Sequence, residues 1–247
     1  MRKTLLVCRR ELSLLFGGPL AWVLCAVFAL LANYFFYSDL TFYVVFGGAN
    51  LSAGLWRYAF LDWRLVAQLV LPLVTMRMFA EERKLGTLEL LWTLPVRDHE
   101  LLAGKYLAGV LVYVVMLATT LVGPLVLHAL HDFPLRPLLP GYIGLLLLGS
   151  TFVAVGLAAS AATENQVVSA MLTYGVLVLL WFVSWNEAAL SERVAPVILA
   201  LSFFDRFYGF AQGVIDLRDV AAFVAFTLLF LFVALRTLGA RTWRGIA

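Results

Sequence analysis

Residues 80–109 read AEERKLGTLELLWTLPVRDHELLAGKYLAG, and the charge of this chain is concentrated there. Glu81, Glu82, Arg83, Lys84, Glu89, Arg97, Asp98, Glu100 and Lys105 all fall inside this stretch, with long apolar runs on both sides. A segment this charged, set between two membrane-length helices, does not lie in lipid and is expected to protrude into water as a contact surface. Leu85, Leu88, Leu91 and Trp92 recur at helical spacing, which predicts a short helix over 81–94 with one apolar stripe and one charged face. Gly86 and Thr87 supply a point of flexure, Pro95 ends the helix, and Asp98 sits where the N-cap of the returning helix belongs. An ordinary solvated loop is the plainer reading, but loops between spans are usually short and seldom carry a helical stripe.

The composition around this segment sets the class. Of 247 residues 63% are hydrophobic and only 13% charged, and mean hydropathy is +0.95; a soluble domain carries roughly twice that charge fraction. The expected fold is all-α, a single polytopic membrane domain over 1–247 with six transmembrane helices. These fall at about 19–37, 60–79, 106–127, 141–162, 166–185 and 220–236, each near the length needed to cross a bilayer. Ahead of them, residues 1–16 alternate basic and apolar side chains, as an amphipathic helix lying in the membrane interface does. No small-residue cleavage site follows, so a signal peptide is not expected. Residues 38–63 read as a polar, aromatic connector with Trp56 and Trp63 as interface anchors, and Pro72 is expected to kink the second span. The connector 187–219 contains an apolar piece, 194–204, too short to span and read as re-entrant or interfacial.

An even number of spans leaves both termini on one side. Twelve of the eighteen Lys and Arg residues fall on the face holding the termini, the charged segment and the Glu164 turn, and six on the other. The positive-inside rule therefore places both termini and the charged segment in the cytoplasm, and the long connectors outside. The net charge of +3 is thereby a matter of topology: the basic residues are scattered at span ends rather than gathered in a nucleic-acid patch.

No phosphate-cradling loop is present, because His99 stands where the first glycine before Gly104 and Lys105 would be required. The chain is thus not expected to hydrolyse ATP. His128 and His131 beside Asp132 lack an evident third ligand, so no metal site is assigned. Cys8 and Cys25 are not expected to form a disulfide. No Ser/His/Asp arrangement is legible, and no acidic or basic residue is placed at mid-membrane, as a pump would require. The intramembrane polar residues Asn33, Gln68, Thr75 and Ser150 either glue helices together or line a translocation path. Ser150, Ala154, Ala158 and Ala162, with Gly149 and Gly156, give the fourth span a small-residue face suited to close packing.

Taken together these motifs resemble the ATP-binding-cassette type-2 (ABC-2) permeases. Glu81-Glu82-Arg83, Gly86-Thr87-Leu88-Glu89 and Leu94-Pro95-Val96, with Gly104-Lys105 downstream, are similar to that family's signature. The run from Pro72 to Arg77, Gly141-Tyr142-Ile143-Gly144, Asn165-Gln166 and the run from Gly213 to Asp219 resemble its gliding-motility-type branch, to which the nitrous-oxide-reductase maturation permease is related. The resemblance implies a permease subunit with no cofactor of its own, paired with a second permease copy, in all expectation a homodimer. ATP and Mg would be bound by two copies of a separate cytoplasmic ABC ATPase. Residues 1–16 would be the elbow helix and 81–94 the coupling helix. The ATPase contact would comprise Glu81, Glu82, Arg83, Gly86, Thr87 and Glu89, with Glu164 and Asn165 as a smaller second contact. An auxiliary protein with an extracytoplasmic domain would dock at Asp216, Arg218 and Asp219, where a purely structural cap on the last span is an equal reading. The location implied is the inner membrane of a prokaryote, and the work done is export or mechanical action on an extracytoplasmic partner. A polytopic scaffold or intramembrane enzyme without an ATPase is the alternative. On this reading Glu82→Lys is expected to uncouple the complex while leaving insertion intact.

Overall fold

The computed structural model of the chain describes residues 2–46, 51–87, 97–130, 137–183 and 202–242. Among these residues all regular structure is helical. In chain order the helices are α1 (Arg2–Gly17), α2 (Pro19–Phe46), α3 (Leu51–Thr75), α4 (Arg77–Lys84), α5 (Asp98–Thr120), α6 (Val122–Leu130), α7 (Leu138–Ala162), α8 (Gln166–Phe182), α9 (Phe203–Ala211) and α10 (Leu217–Thr242). Five helical runs are long and apolar enough to cross a membrane: Pro19–Phe46, Gly54–Lys84, Asp98–Leu130, Leu138–Ala162 and Leu217–Gly239. The apolar helix Gln166–Phe182 is shorter, at 17 residues, and residues 184–185 of the expected fifth span lie outside the described residues.

The helices outrun the expected spans at their polar ends. Residues 38–46 continue α2 and residues 51–63 begin α3, so the expected connector is mostly helix. Trp56 and Trp63 are not interface anchors: both are fully buried, stacked or tilted against Phe36, and the Trp63 indole N–H donates to Ala32 O at 2.9 Å. An indole whose N–H finds a carbonyl inside the bundle needs no water. Pro72 lies within α3, and the interruption comes four residues later at Met76, whose N–H still reaches Pro72 O at 2.9 Å. The returning helix is capped at Arg97 rather than Asp98. The Arg97 N–H donates to Glu100 Oε2 at 3.1 Å, so the side chain three residues on satisfies the cap.

Packing is organised on α7. In its most apolar stretch 72% of α7 is buried, against 11% of α10, so α7 is the axis of the bundle and α10 sits on its flank. The small residues allow this. Gly141 faces Phe60, Gly144 faces Phe210, Gly149 faces Tyr113 and Gly156 faces Thr75, each so closely that a methyl group would collide. Such backbone approach replaces the hydrophobic drive that is missing between helices in lipid.

These contacts also give direction. Phe60 with Gly141, Thr75 with Gly156 and Phe79 with Ser160 are each 81 residues apart, so the α3–α4 run and α7 lie parallel and in register. Pro137 with Gly213 and Thr151 with Thr227, each 76 apart, set α10 parallel to α7. Gly109 with Val153 and Gly149 with Tyr113 make α5 antiparallel to α7. Arg64 over the Trp181 ring and Tyr174 bonded to Leu69 O make α8 antiparallel to α3. Consequently the end of α4, the start of α5, the 163–165 turn and the C-terminal end of α10 share one end of the bundle.

Candidate functional site

That shared end holds a charged junction built by α1, α4 and α5. Helix α1 crosses the first turns of α5 at Gly104, where a methyl group would meet Val7 Cβ at 2.6 Å and Thr4 O at 3.0 Å. The close crossing brings Glu11 of α1 to Lys105. Lys105 Nζ lies 2.9 Å from Glu11 Oε1 and 2.9 Å from Glu82 Oε2, and donates to Met78 O at 2.7 Å. The two carboxylate contacts are ion pairs rather than well-angled hydrogen bonds; the third is a hydrogen bond. Lys105 is fully buried, and its ammonium also faces the Phe79 ring at 5.1 Å. Arg10 approaches Glu82 Oε1 at 3.7 Å from the half-exposed side. Two cations and two carboxylates thus balance where an unpaired buried charge would be costly.

Glu81, one residue earlier, faces the other way. Arg77 donates to both of its carboxylate oxygens, at 2.7 and 2.9 Å, with about a third of each side chain exposed. A crevice of about 330 Å³ opens between α1, α2 and the α3–α4 run, lined by Arg10, Glu11, Arg77, Glu81 and Glu82 with Leu14, Leu24 and Val74. Helix α4 then stops: Gly86 adopts φ +70, the left-handed conformation that glycine takes past a helix end. Thr87 Oγ1 donates to Glu82 O at 3.2 Å. Lys84 and Gly86 are exposed, and so is Leu85, at 67%. Arg83 is half-buried. Glu89, with Leu88, Leu91 and Trp92 of the expected stripe, lies outside the described residues.

Ser160 of α7 joins this junction to the 163–165 turn. The interruption at Met76 leaves the first N–H groups of α4 without partners in the helix. Ser160 Oγ accepts from the N–H groups of Phe79 and Ala80, both at 3.0 Å, and donates to Met76 O at 3.0 Å. One hydroxyl from a neighbouring helix therefore does the work of an N-cap. Four residues on, Glu164 is exposed. Asn165 is the N-cap of α8, accepting from Val167 N at 2.9 Å, so its side chain is occupied in structure.

The other candidates are dispersed. Asn33 Nδ2 donates to Ala29 O at 2.8 Å and Thr119 O at 3.3 Å, tying α2 to α5. Thr75 bonds back to Leu71 O at 3.0 Å beneath Gly156, and Gln68 is buried. Ser150 is half-buried, and its neighbour Thr151 reaches Thr227 at 3.0 Å, tying α7 to α10. Asn33 makes a contact between helices, and the four candidates lie apart from one another on α2, α3 and α7. Far from the junction, Asp216 Oδ1 accepts from Arg218 N at 2.8 Å, and Asp219 pairs with Arg206 at 3.0 Å, which makes this piece the cap of α10. Helix α9 folds back with Phe203, Phe207 and Phe210 fully buried.

Comparison with known protein families places the chain. A model described as ABC-2 family transporter protein covers residues 65–236, more than two-thirds of the chain. The chain belongs to this family. It is a multi-pass membrane protein and the permease component of an ABC transporter, a class of subunit that normally works beside a cytoplasmic ABC ATPase. No curated protein matches the chain. Lys105, Glu82 and Ser160 lie inside the family match, whereas Arg10 and Glu11 lie ahead of it.

Three residues of this ABC-2 junction escaped the sequence reading. Glu11 is the one acidic residue of α1, and that isolation in a basic, apolar helix was a signal. Lys105 stood in view beside Gly104, but nothing local showed that it turns inward. Ser160 sits in a run of small residues and carried no signal of its own. The inward turn also changes what charge reversal at Glu82 would do. Its side chain is 13% exposed and faces Lys105, so Glu82→Lys would put like charges together inside the junction and disturb its folding.

Proposed function

We propose that this chain is the membrane half of an ATP-driven machine whose hydrolysing subunits are two copies of a separate cytoplasmic ABC ATPase. The ATPase docks at the bundle end formed by residues 81–87 and by Glu164. One observation carries this reading: α4 and α7 run parallel, in register, pinned by Ser160, which sets the charged segment and the 163–165 turn side by side. A docked subunit could grip both and move them as one. The excess of Lys and Arg on this face supports a cytoplasmic location for it and for both chain ends, in a prokaryotic inner membrane. A second copy of the chain completes the complex as a homodimer, and Gln166–Phe182, the fifth in chain order, brings the spans to six. The opposite end, where Asp216 and Arg218 are exposed, faces an auxiliary extracytoplasmic partner. The complex exports a substrate or acts mechanically on that partner.

Purification of the tagged full chain from its native host in mild detergent tests this directly. ATPase activity should co-purify, and Leu85→Asp, at an exposed position, should release it while the permease stays monodisperse. A clean preparation without any ATPase would sink the reading.

A further inference from the structure

We infer that Lys105 is the positioning residue that holds α1 on α4, so that the two helices and the start of α5 move as one body. This rests on the coupling reading for its purpose, since α1 would then follow any displacement applied to the end of α4. The lock itself is argued from geometry. Lys105 is fully buried and its three partners come from two other helices: Glu11 of α1, and Glu82 and Met78 O of α4. Gly104 is what lets α1 come near enough for Glu11 to reach it, because any side chain there would meet Val7 and the Thr4 carbonyl. The apolar contacts of α1 are made mainly with α5: Val7 and Cys8 are buried, Leu12, Leu15 and Phe16 are partly buried against the core, and Leu5, Leu6 and Leu14 are exposed. The tie between α1 and α4 is the charged one, through Glu11, Lys105 and Glu82. Adjacent Gly104 and Lys105 thus have one joint task, close approach by the first and charge by the second.

Cys8 reports on this contact. It is 5% exposed on the protein-facing side of α1, and burial together with the Glu11 charge pushes its thiol pKa up. The experiment measures maleimide labelling of Cys8 in the full chain, purified alone in lipid nanodiscs with Cys25→Ala. Met116→Cys, fully buried near the C-terminal end of α5, reports on the bundle in a parallel sample. Lys105→Met should speed labelling of Cys8 at least tenfold and leave position 116 protected. Arg10→Ala should change little, as that contact is long and half-exposed. If Cys8 stays as slow as in the parent while position 116 is protected, α1 is held by other contacts and the inference fails. If both positions label, Lys105→Met has unfolded the bundle and Glu11→Gln decides, because it leaves the Lys105–Glu82 pair in place. Because this variant also removes a charge that raises the thiol pKa, a gain in Cys8 labelling larger than the gain in thiolate fraction, with position 116 protected, upholds the lock, and a gain no larger than that overturns it. No ATPase is present, so either outcome leaves the docking reading to its own test.

Discussion

Glu81 and Arg77 form a two-pronged pair with side chains 34% and 35% exposed, whereas the Lys105 side chain that meets Glu11 and Glu82 has no exposure at all. Solvent decides the difference in weight. An exposed i,i+4 pair contributes about 0–1 kcal/mol, while removing one member of a buried pair costs about 3–5 kcal/mol because the other charge is stranded. Lys105→Met should therefore lower the unfolding free energy in detergent by several times as much as Glu81→Gln, measured by denaturant or thermal melting. Equal effects would mean that water reaches Lys105. Ser160→Ala should cost about 1–3 kcal/mol, since it leaves the N–H groups of Phe79 and Ala80 and the Met76 carbonyl unpaired in the interior. A melting temperature unchanged in that variant would show that another group takes over the cap. The density of charge at residues 81–105 was legible in the sequence, but the direction of each side chain was not. Glu81 and Glu82 are adjacent, and only the crossing of α1 over Gly104 decides that the second turns inward.

Helix α7 tolerates close company on several sides because Gly141 and Gly156 face α3, Gly149 faces α5 and Gly144 faces α9. Gly149→Val should force Tyr113 away and break its hydrogen bond to Leu145 O, now 3.0 Å. Overpacking of this kind costs about 1–3 kcal/mol, and loss of monodispersity in size-exclusion chromatography would show it, while Gly175→Val, with open space around it, should behave like the parent. The long apolar helices, and the small-residue face of α7, could be read from apolar run length and from the spacing of Gly, Ala and Ser, whereas α9 fell inside an expected connector. Helix ends could not. Residues 38–46 and 51–63 look polar and aromatic in one dimension, yet Trp56 and Trp63 are buried against α2, so packing carried the helices past where hydropathy faded. Arg97 replaced Asp98 as the cap because Glu100 could reach back to it.

The whole bundle has two unlike ends, and the constant offsets of 81 and 76 residues place them. One end gathers α1, the end of α4, the start of α5 and the 163–165 turn; the other gathers the start of α10 and α9. Gln166–Phe182 would rise about 26 Å at 1.5 Å per residue, a little short of a hydrocarbon core of about 30 Å. Cysteines placed at Ser13 and Glu164 should react with an impermeant maleimide from the same side of the membrane, and one at Arg218 from the opposite side; reaction of all three from one side would refute a six-span arrangement. Which faces meet at a distance of 81 residues was invisible in the sequence, because register between helices is set by shape. In the proposed function, that register makes one docking face out of two separate stretches. Photo-cross-linking in the native membrane tests it most directly, with benzophenone probes at Leu85, Glu164 and Asp216 in the full chain. Adducts to one ATPase from Leu85 and Glu164, and none from Asp216, are expected. An ATPase adduct at Asp216, or at none of the three in a complex that turns over ATP, would contradict the account.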